Sequence, residues 1–273
     1  MSEFVEFELK NNVAIIKLNR PEKKNALTLE MLENLTKIGD NLKTKDNLSC
    51  VLITGKAEVF CSGIDVTNFI SLATDKELLK SLLTPLEGKP YNKMQKPCII
   101  WQEIAVPVIA ILEGPVFGAG LQIALGADIR ISAPTAEFSI METKWGLIPD
   151  MGITQTLPKL MNYDQALLAT LTSTLINAKK ACELGLITIC TENPYEKGIK
   201  LAKELGSKSP DALRAVKTLY QKTWRKANTE NLQLEALLQT QLIGSANQME
   251  AVFANIEKRS PDFSKHSPSN AKS

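Results

Sequence analysis

An α/β fold built on a parallel sheet, running on into a helical C-terminal region, is predicted by three observations. Short apolar runs suited to strands alternate with helix-patterned segments through roughly the first 150 residues. A glycine-rich turn, Gly114 to Gly120, joins one of these runs directly to an apolar, helix-like stretch. After Pro149 the patterning becomes almost wholly helical.

The elements follow in order. Phe4 to Lys10 alternates apolar and acidic residues, Asn11-Asn12 suits a tight turn, and Val13 to Leu18 reads as the return strand. Asn19-Arg20-Pro21 breaks that strand, and Thr28 is placed to cap a helix reaching about Leu42. Cys50 to Thr54, closed by Gly55, is a buried strand. From Val59 the small-residue segment FCSGIDVTNF leads into a polar helical stretch over about Asp75 to Trp101. A further buried strand spans Val106 to Leu112. The glycine turn comes next, then a helix near Gly118 to Leu125 and a strand from Asp128 to Ser132. Helices are expected near Asn162 to Thr172, Ala178 to Leu184, Tyr195 to Leu205, Pro210 to Tyr220 and Thr229 to Ile256. Residues 259–273 carry Ser, Pro, Lys and Asn with few apolar groups, and a frayed tail is expected there. The chain thus divides into an α/β core over 1–195, a helical region over 196–258 and the tail.

Composition excludes several classes of function. At 44% hydrophobic and 23% charged residues the chain reads as a soluble globular protein with a sizeable core. Lys and Arg number 32 against 30 Asp and Glu, so no electrostatic footprint for nucleic acid or an acidic membrane surface exists. The five cysteines are odd in number and contain no Cys-x-x-Cys, which argues against a disulfide framework or thiolate zinc site. The single histidine, His266, removes His-based triads and His-rich metal sites. The apolar stretch Ile99 to Leu112 is broken by Gln102, Glu103 and Pro107 and is too short to span a bilayer. With no secretory pattern and no Ser-Lys-Leu ending, the cytoplasm is the expected compartment.

GPVFGAGLQIALGADIRIS, from Gly114 to Ser132, poses the chemical question. Its glycines could serve close packing of helix on strand. They could equally hold bare backbone N–H groups against a substrate, because no side chain blocks the approach. Gln122, polar among apolar neighbours, is either a satisfied core amide or a member of a site.

Taken with IIKLNRPEKKNAL, VFCSGIDVTNF, AEFSIMETKWGLIPDMGITQTLPKLM, AKKACELGLIT and FANIEKRSPDF, this segment resembles the enoyl-CoA hydratase/isomerase (crotonase) family, from about Phe4 to Phe263. The resemblance implies a spiral of ββα turns, a C-terminal helical trimerisation region, an acyl-CoA thioester as substrate, and a homotrimer or dimer of trimers. It implies no cofactor beyond the coenzyme A of the substrate, and no metal. By match to the family's motifs, an oxyanion hole would be formed by the backbone N–H groups of Ile64 in SGID and Ala119 in FGAG.

Hydratases of the family use two glutamates to hold and activate water. The first position here is Gln122, and the second is Glu142 of FSIMETKWG. An amide cannot act as a general base. Asp150 of LIPDMG stands where one branch of the enoyl-CoA isomerases, and the dienoyl-CoA isomerases, carry a catalytic carboxylate. One carboxylate can take a proton from one carbon and return it to another, so the pattern favours an isomerase.

Asp150 and Glu142 both stand as the proton shuttle. Asp150 could instead cap the helix suggested by TQTLPKL, and Glu142 could pair with Lys144. Gln122, Phe117 and Trp145 are candidates for the acyl pocket or plain core residues. Lys23, Lys24 and Lys258 are candidates for the coenzyme phosphates or solvated lysines. The rival readings are a hydratase that tolerates Gln122 and a non-catalytic acyl-CoA-binding protein.

Overall fold

The computed structural model describes residues 3–65, 67, 75–224, 237 and 239–265. Strands β1 (Val5–Lys10) and β2 (Val13–Leu18) form the expected hairpin, in register from Val5 opposite Leu18 to Lys10 opposite Val13. Asn11 and Asn12 turn it with φ of 50° and 63°, the left-handed pair that matches the twist of a two-residue hairpin. Helix α1 (Leu29–Lys43) starts where Thr28 accepts a hydrogen bond from the Met31 N–H at 3.2 Å. Its buried stripe of Met31, Leu35, Ile38 and Leu42 recurs at helical spacing and packs against the sheet side that also buries Ile16, Ile53 and Ala110.

Strand β3 (Cys50–Gly55) lies parallel to β2. The stretch expected as one helix over Asp75 to Trp101 is instead two. Helix α2 (Lys76–Leu83) and helix α3 (Lys96–Ile99), prolonged by a 3-10 turn to Gln102, are separated by Pro85, Gly88 and Pro90. A proline lacks the N–H a helix interior needs and clashes with the preceding turn, so the helical pattern could not carry through.

Strands β4 (Val108–Leu112) and β5 (Pro115–Phe117), helix α4 (Ala119–Gly126), and strands β6 (Ile129–Ser132) and β7 (Glu137–Ser139) come next. Helices α5 (Ile153–Thr156) and α6 (Tyr163–Thr172), strand β8 (Ile176–Asn177), helix α7 (Ala178–Glu183) and strand β9 (Ile189–Cys190) complete the α/β part. The main sheet has the order β1-β2-β3-β4-β6-β9 and is parallel except for β1. A smaller sheet, β5-β7-β8, stands beside it, tied to residue 61 by a parallel bridge between Cys61 and Val116.

Helix α8 (Pro194–Gly206) covers the other face of the main sheet, placing Leu201, Ala202 and Leu205 against Ile15, Leu52, Ile109, Ile111 and Ile131. Helix α9 (Pro210–Thr223) is fastened by one buried cation. Lys217 Nζ donates to the carbonyls of Trp101 (3.2 Å) and Val106 (2.9 Å) and pairs with Asp128 at 2.6 Å. Helix α10 (Ala246–Ile256) packs on α9 through Asn247, which donates to Asp211. The single helix expected over Thr229 to Ile256 is broken, because Gly244 takes φ 78° just before α10. The part of that expectation over 229–236 and 238, and the tail expected over 266–273 with His266, lie outside the described residues. Arg259, at the head of the tail, is anchored by ion pairs to Glu250 and Glu257.

Candidate active site

The site assembles where three backbone segments meet. Leu27 N donates to the Gly63 carbonyl and Asp65 N to the Leu27 carbonyl, so residues 62–65 run beside 24–27. On the other side Cys61 N donates to Pro115 and Phe117 N to Cys61. Neither bond near residue 64 uses the N–H of Ile64. Ala119, the first residue of α4, carries one of the N–H groups that have no acceptor within the helix.

Glycine is required at the entry to α4. Gly118 takes φ 50° and ψ −121°, and a side chain there would stand 3.5 Å from Glu142 Oε1. At Gly120 a Cβ would meet the carbonyl oxygen of Cys61 at 2.7 Å. Apolar on every side but for Gln122, α4 has all eight residues buried, as a nearly all-round apolar sequence demands.

A cavity of about 830 Å³ opens over this junction. Ile64, Ala119, Glu142, Asp150, Trp145 and Lys23 all line it, so six of the sequence candidates are brought together. Apolar walls come from α2, with Leu79, Leu82 and Leu83, and from Met94, Leu147, Ile148 and Met151. The sequence marks Ile148 and Met151 as apolar neighbours of Asp150, whereas Leu79, Leu82, Leu83, Met94 and Leu147 carry no chemical signal of their own. Phe117, Lys24 and Lys258 do not line the cavity. Phe117 lies in β5, Lys24 ends a left-handed turn, and exposed Lys258 follows α10.

Gln122 also lies off the cavity surface, 2% exposed, yet it organises the site. Its Nε2 donates to Glu142 Oε1 at 2.6 Å, and its Oε1 accepts the Met151 N–H at 2.9 Å. The amide is thus a satisfied core group and a member of the site at once. Glu142 Oε2 is buried with no hydrogen-bond partner.

Burial pushes the Glu142 carboxyl above its ordinary value; the Gln122 hydrogen bond opposes this and the neighbouring Asp150 charge adds to it. Asp150 lies at the open rim, and its partial burial raises its carboxyl too. The cap of α5 falls to Gly152 with no side-chain hydrogen bond, so Asp150 does not serve as that cap. Among the described residues no ion pair joins Glu142 to Lys144.

A preformed apolar cavity that holds two carboxyls raised by burial beside a glycine-lined helix start is of the class that suits acid–base chemistry on an α/β scaffold. The comparisons narrow that class. The enoyl-CoA hydratase/isomerase family profile matches residues 8–266, and the chain belongs to that family. The chain is 32% identical over 263 residues to YngF of Bacillus subtilis (strain 168), which carries an enoyl-CoA hydratase/isomerase name, with 95% of this chain and 97% of that protein covered. It is 30% identical to the 1,2-epoxyphenylacetyl-CoA isomerase of Escherichia coli (strain K12), over 96% of this chain and 99% of that one. The crystal structure of an enoyl-CoA hydratase from Bacillus anthracis superposes with a TM-score of 0.85 at 28% identity, covering 95% and 98% of the two chains. The crotonase-type α/β fold with a helical C-terminal region therefore holds for this chain. Among the described residues, no helix is long and apolar enough to cross a membrane.

Proposed function

We propose that the protein is an enoyl-CoA isomerase that moves a carbon–carbon double bond along an acyl-CoA, with Glu142 as the proton shuttle. The observation that carries this reading is the pairing of Gln122 with Glu142. Water addition in this family calls on two carboxylates. Here one is replaced by an amide whose oxygen is committed to the Met151 N–H, leaving Glu142 Oε2 as the buried acceptor without a protein partner.

In the proposed reaction, Glu142 Oε2 takes a proton from C2 of a 3-enoyl thioester. The electron pair moves onto the thioester oxygen, giving a dienolate. The N–H groups of Ile64 and Ala119 stabilise that oxyanion, each at about 3 kcal/mol, and the α4 N-terminus adds its dipole. The same carboxyl returns the proton at C4, which leaves the 2-enoyl product. Burial raises both the Glu142 and the Asp150 carboxyl, the direction that suits a group that must take a proton and return it. Asp150 stands close enough in charge to tune Glu142, and on a 3,5-diene it would serve the far carbon.

Lys23, which lines the cavity, would meet the coenzyme phosphates in this reading. We also infer a homotrimer or dimer of trimers in the cytoplasm. Exposed Tyr220, Trp224, Val252, Phe253 and Ile256 on the C-terminal helices, and five free cysteines, support this reading.

The test is incubation of the pure protein with a 3-enoyl-CoA and, separately, a 2-enoyl-CoA. Growth of conjugated thioester absorbance in the first supports the isomerase. Rapid water addition in the second with none in the first restores the hydratase. Full activity in both Glu142→Gln and Asp150→Asn removes these carboxyls from the chemistry. Acyl-CoA binding with no turnover of either substrate by the unaltered protein points to a binding protein.

A further inference from the structure

The Arg20–Asp65 pair sits beside the reacting end of the cavity and has no part in the chemistry above. Arg20 Nη1 donates to Asp65 Oδ2 at 2.5 Å and to the Ala26 carbonyl at 3.1 Å. The other carboxylate oxygen, Oδ1, accepts from Thr67 N at 3.0 Å and Thr67 Oγ1 at 2.7 Å. The side chains are only 16% and 12% exposed. The Arg20 hydrogen bond, with those of Thr67, outweighs desolvation and holds the Asp65 carboxyl down at about 2, so the pair stays charged and fixed in one geometry.

The placement gives that geometry a role. Asp65 is joined by a single peptide to Ile64. Arg20 forms the base of the turn that carries Lys23: its carbonyl accepts from Lys23 N and Asn25 N, and its N–H donates to Asn25 Oδ1 at 2.7 Å. Buried Asn25 further donates to the Val59 carbonyl at 2.5 Å. Ser62 N donates back to the Lys24 carbonyl. Lys23, Ala26, Ser62, Gly63, Ile64 and Asp65 all line the cavity, so this unit runs from the proposed phosphate end to the proposed oxyanion donor.

We propose that the Arg20–Asp65 ion pair is a positioning device that aims the Ile64 N–H at the thioester oxygen and ties that aim to occupation of the Lys23 turn by the coenzyme. Asp65 and Arg20 are positioning residues, and neither touches the reacting atoms. Binding at a remote part of the substrate is thereby used where charge develops. This inference rests on the oxyanion-hole and Lys23–coenzyme parts of the proposed function, not on the isomerase outcome.

The experiment follows enolate formation itself, through solvent-deuterium exchange at the α-carbon of a saturated acyl-CoA. This step does not depend on whether the enzyme moves a double bond or adds water. In the unaltered protein, exchange is expected to be faster on the acyl-CoA than on the matching acyl-pantetheine thioester, both at saturation. Asp65→Asn is expected to lower the maximal exchange rate on the acyl-CoA about 10²-fold, the loss typical of a displaced oxyanion donor. Its acyl-CoA affinity should stay within about twofold, and the advantage over the pantetheine thioester should vanish. Arg20→Lys, which keeps a charge but not the forked geometry, should recover part of the rate.

An unchanged exchange rate in Asp65→Asn overturns the proposal. So does a lowered rate that leaves the coenzyme advantage intact, or the absence of exchange in the unaltered protein. If Asp65→Asn fails to fold, Arg20→Lys carries the same test: an unaltered exchange rate and coenzyme advantage in that variant overturn the proposal. Absence of double-bond migration combined with the expected exchange pattern would remove the isomerase reading and leave this inference standing.

Discussion

Helices α4 and α2 flank the same cavity and are opposites in construction. Every residue of α4 is buried, and its glycines admit the backbones of other segments; none of α2 is buried, and its Leu79 and Leu83 are 37% and 42% exposed. The reacting end is therefore built on a part of the core that tolerates no change in volume. The α2 wall is an amphipathic helix with no buried residue, which can give. Under the proposed function, with the acyl chain lying against the leucines of α2, substrate chemistry and substrate length would be set by regions of different rigidity.

The largest expected effect lies at the rigid wall. Glu142→Gln, which keeps the hydrogen bond from Gln122 sterically possible but removes the titrating group, should lower isomerase kcat by about 10²–10⁴-fold while acyl-CoA still binds. The same variant should be more stable than the parent at neutral pH. Because the folded carboxyl is raised, its folded state binds the proton more tightly than its unfolded state. Stability from this group is present in full below the unfolded value and is lost as pH rises towards the folded one. The gain in Glu142→Gln should therefore shrink as pH falls to about 4.5, measurable as thermal midpoints across pH.

Gly126→Ala comes next. Its Cβ would stand 1.9 Å from the Cys98 carbonyl oxygen, and a backbone atom cannot step aside as a side chain does. A loss of about 3 kcal/mol in denaturant unfolding is expected, and a loss under about 0.5 kcal/mol would show that α4 is not the rigid wall described. Gln122→Leu should cost about 1–3 kcal/mol by leaving the Met151 N–H and Glu142 unpartnered. It should also move the acid limb of the pH profile of kcat/KM upward, since the hydrogen bond that lowers Glu142 is gone.

The smallest effect belongs to the loose wall. Leu83→Ala should change stability by no more than about 0.5 kcal/mol and weaken long-chain substrates over short ones by about fourfold per methylene no longer covered. An equal effect on all chain lengths would erase the contrast between the two walls.

Much of this layout was legible in the sequence, for reasons that differ by element. The hairpin from Val5 to Leu18 and the cap at Thr28 are local chemistry, readable from Asn-Asn and from a hydroxyl before an amphipathic run. Strands β5, β7, β8 and β9 span only two or three residues, too short for any periodicity to register. The break at Pro85 to Pro90 was visible in the residues but was outweighed by the helical pattern on either side. Within the site, Glu142 and Asp150 came from motif position, whereas the bridge from Gln122 to Met151 joins residues 29 apart and has no sequence signature. Arg20 and Asp65 lay in two of the motifs that carried the resemblance, but their contact spans 45 residues.

Lys217 has a consequence for anyone who would dissect the molecule. Its side chain is 8% exposed, and its ammonium donates to two carbonyls and pairs with one carboxylate on the approach to β4 and β6. Chain shortened anywhere before it would remove this donor from the carbonyls of Trp101 and Val106 and leave Asp128 only the Val108 N–H. A fragment that keeps these three bonds between the helical region and the α/β part must therefore reach past residue 217.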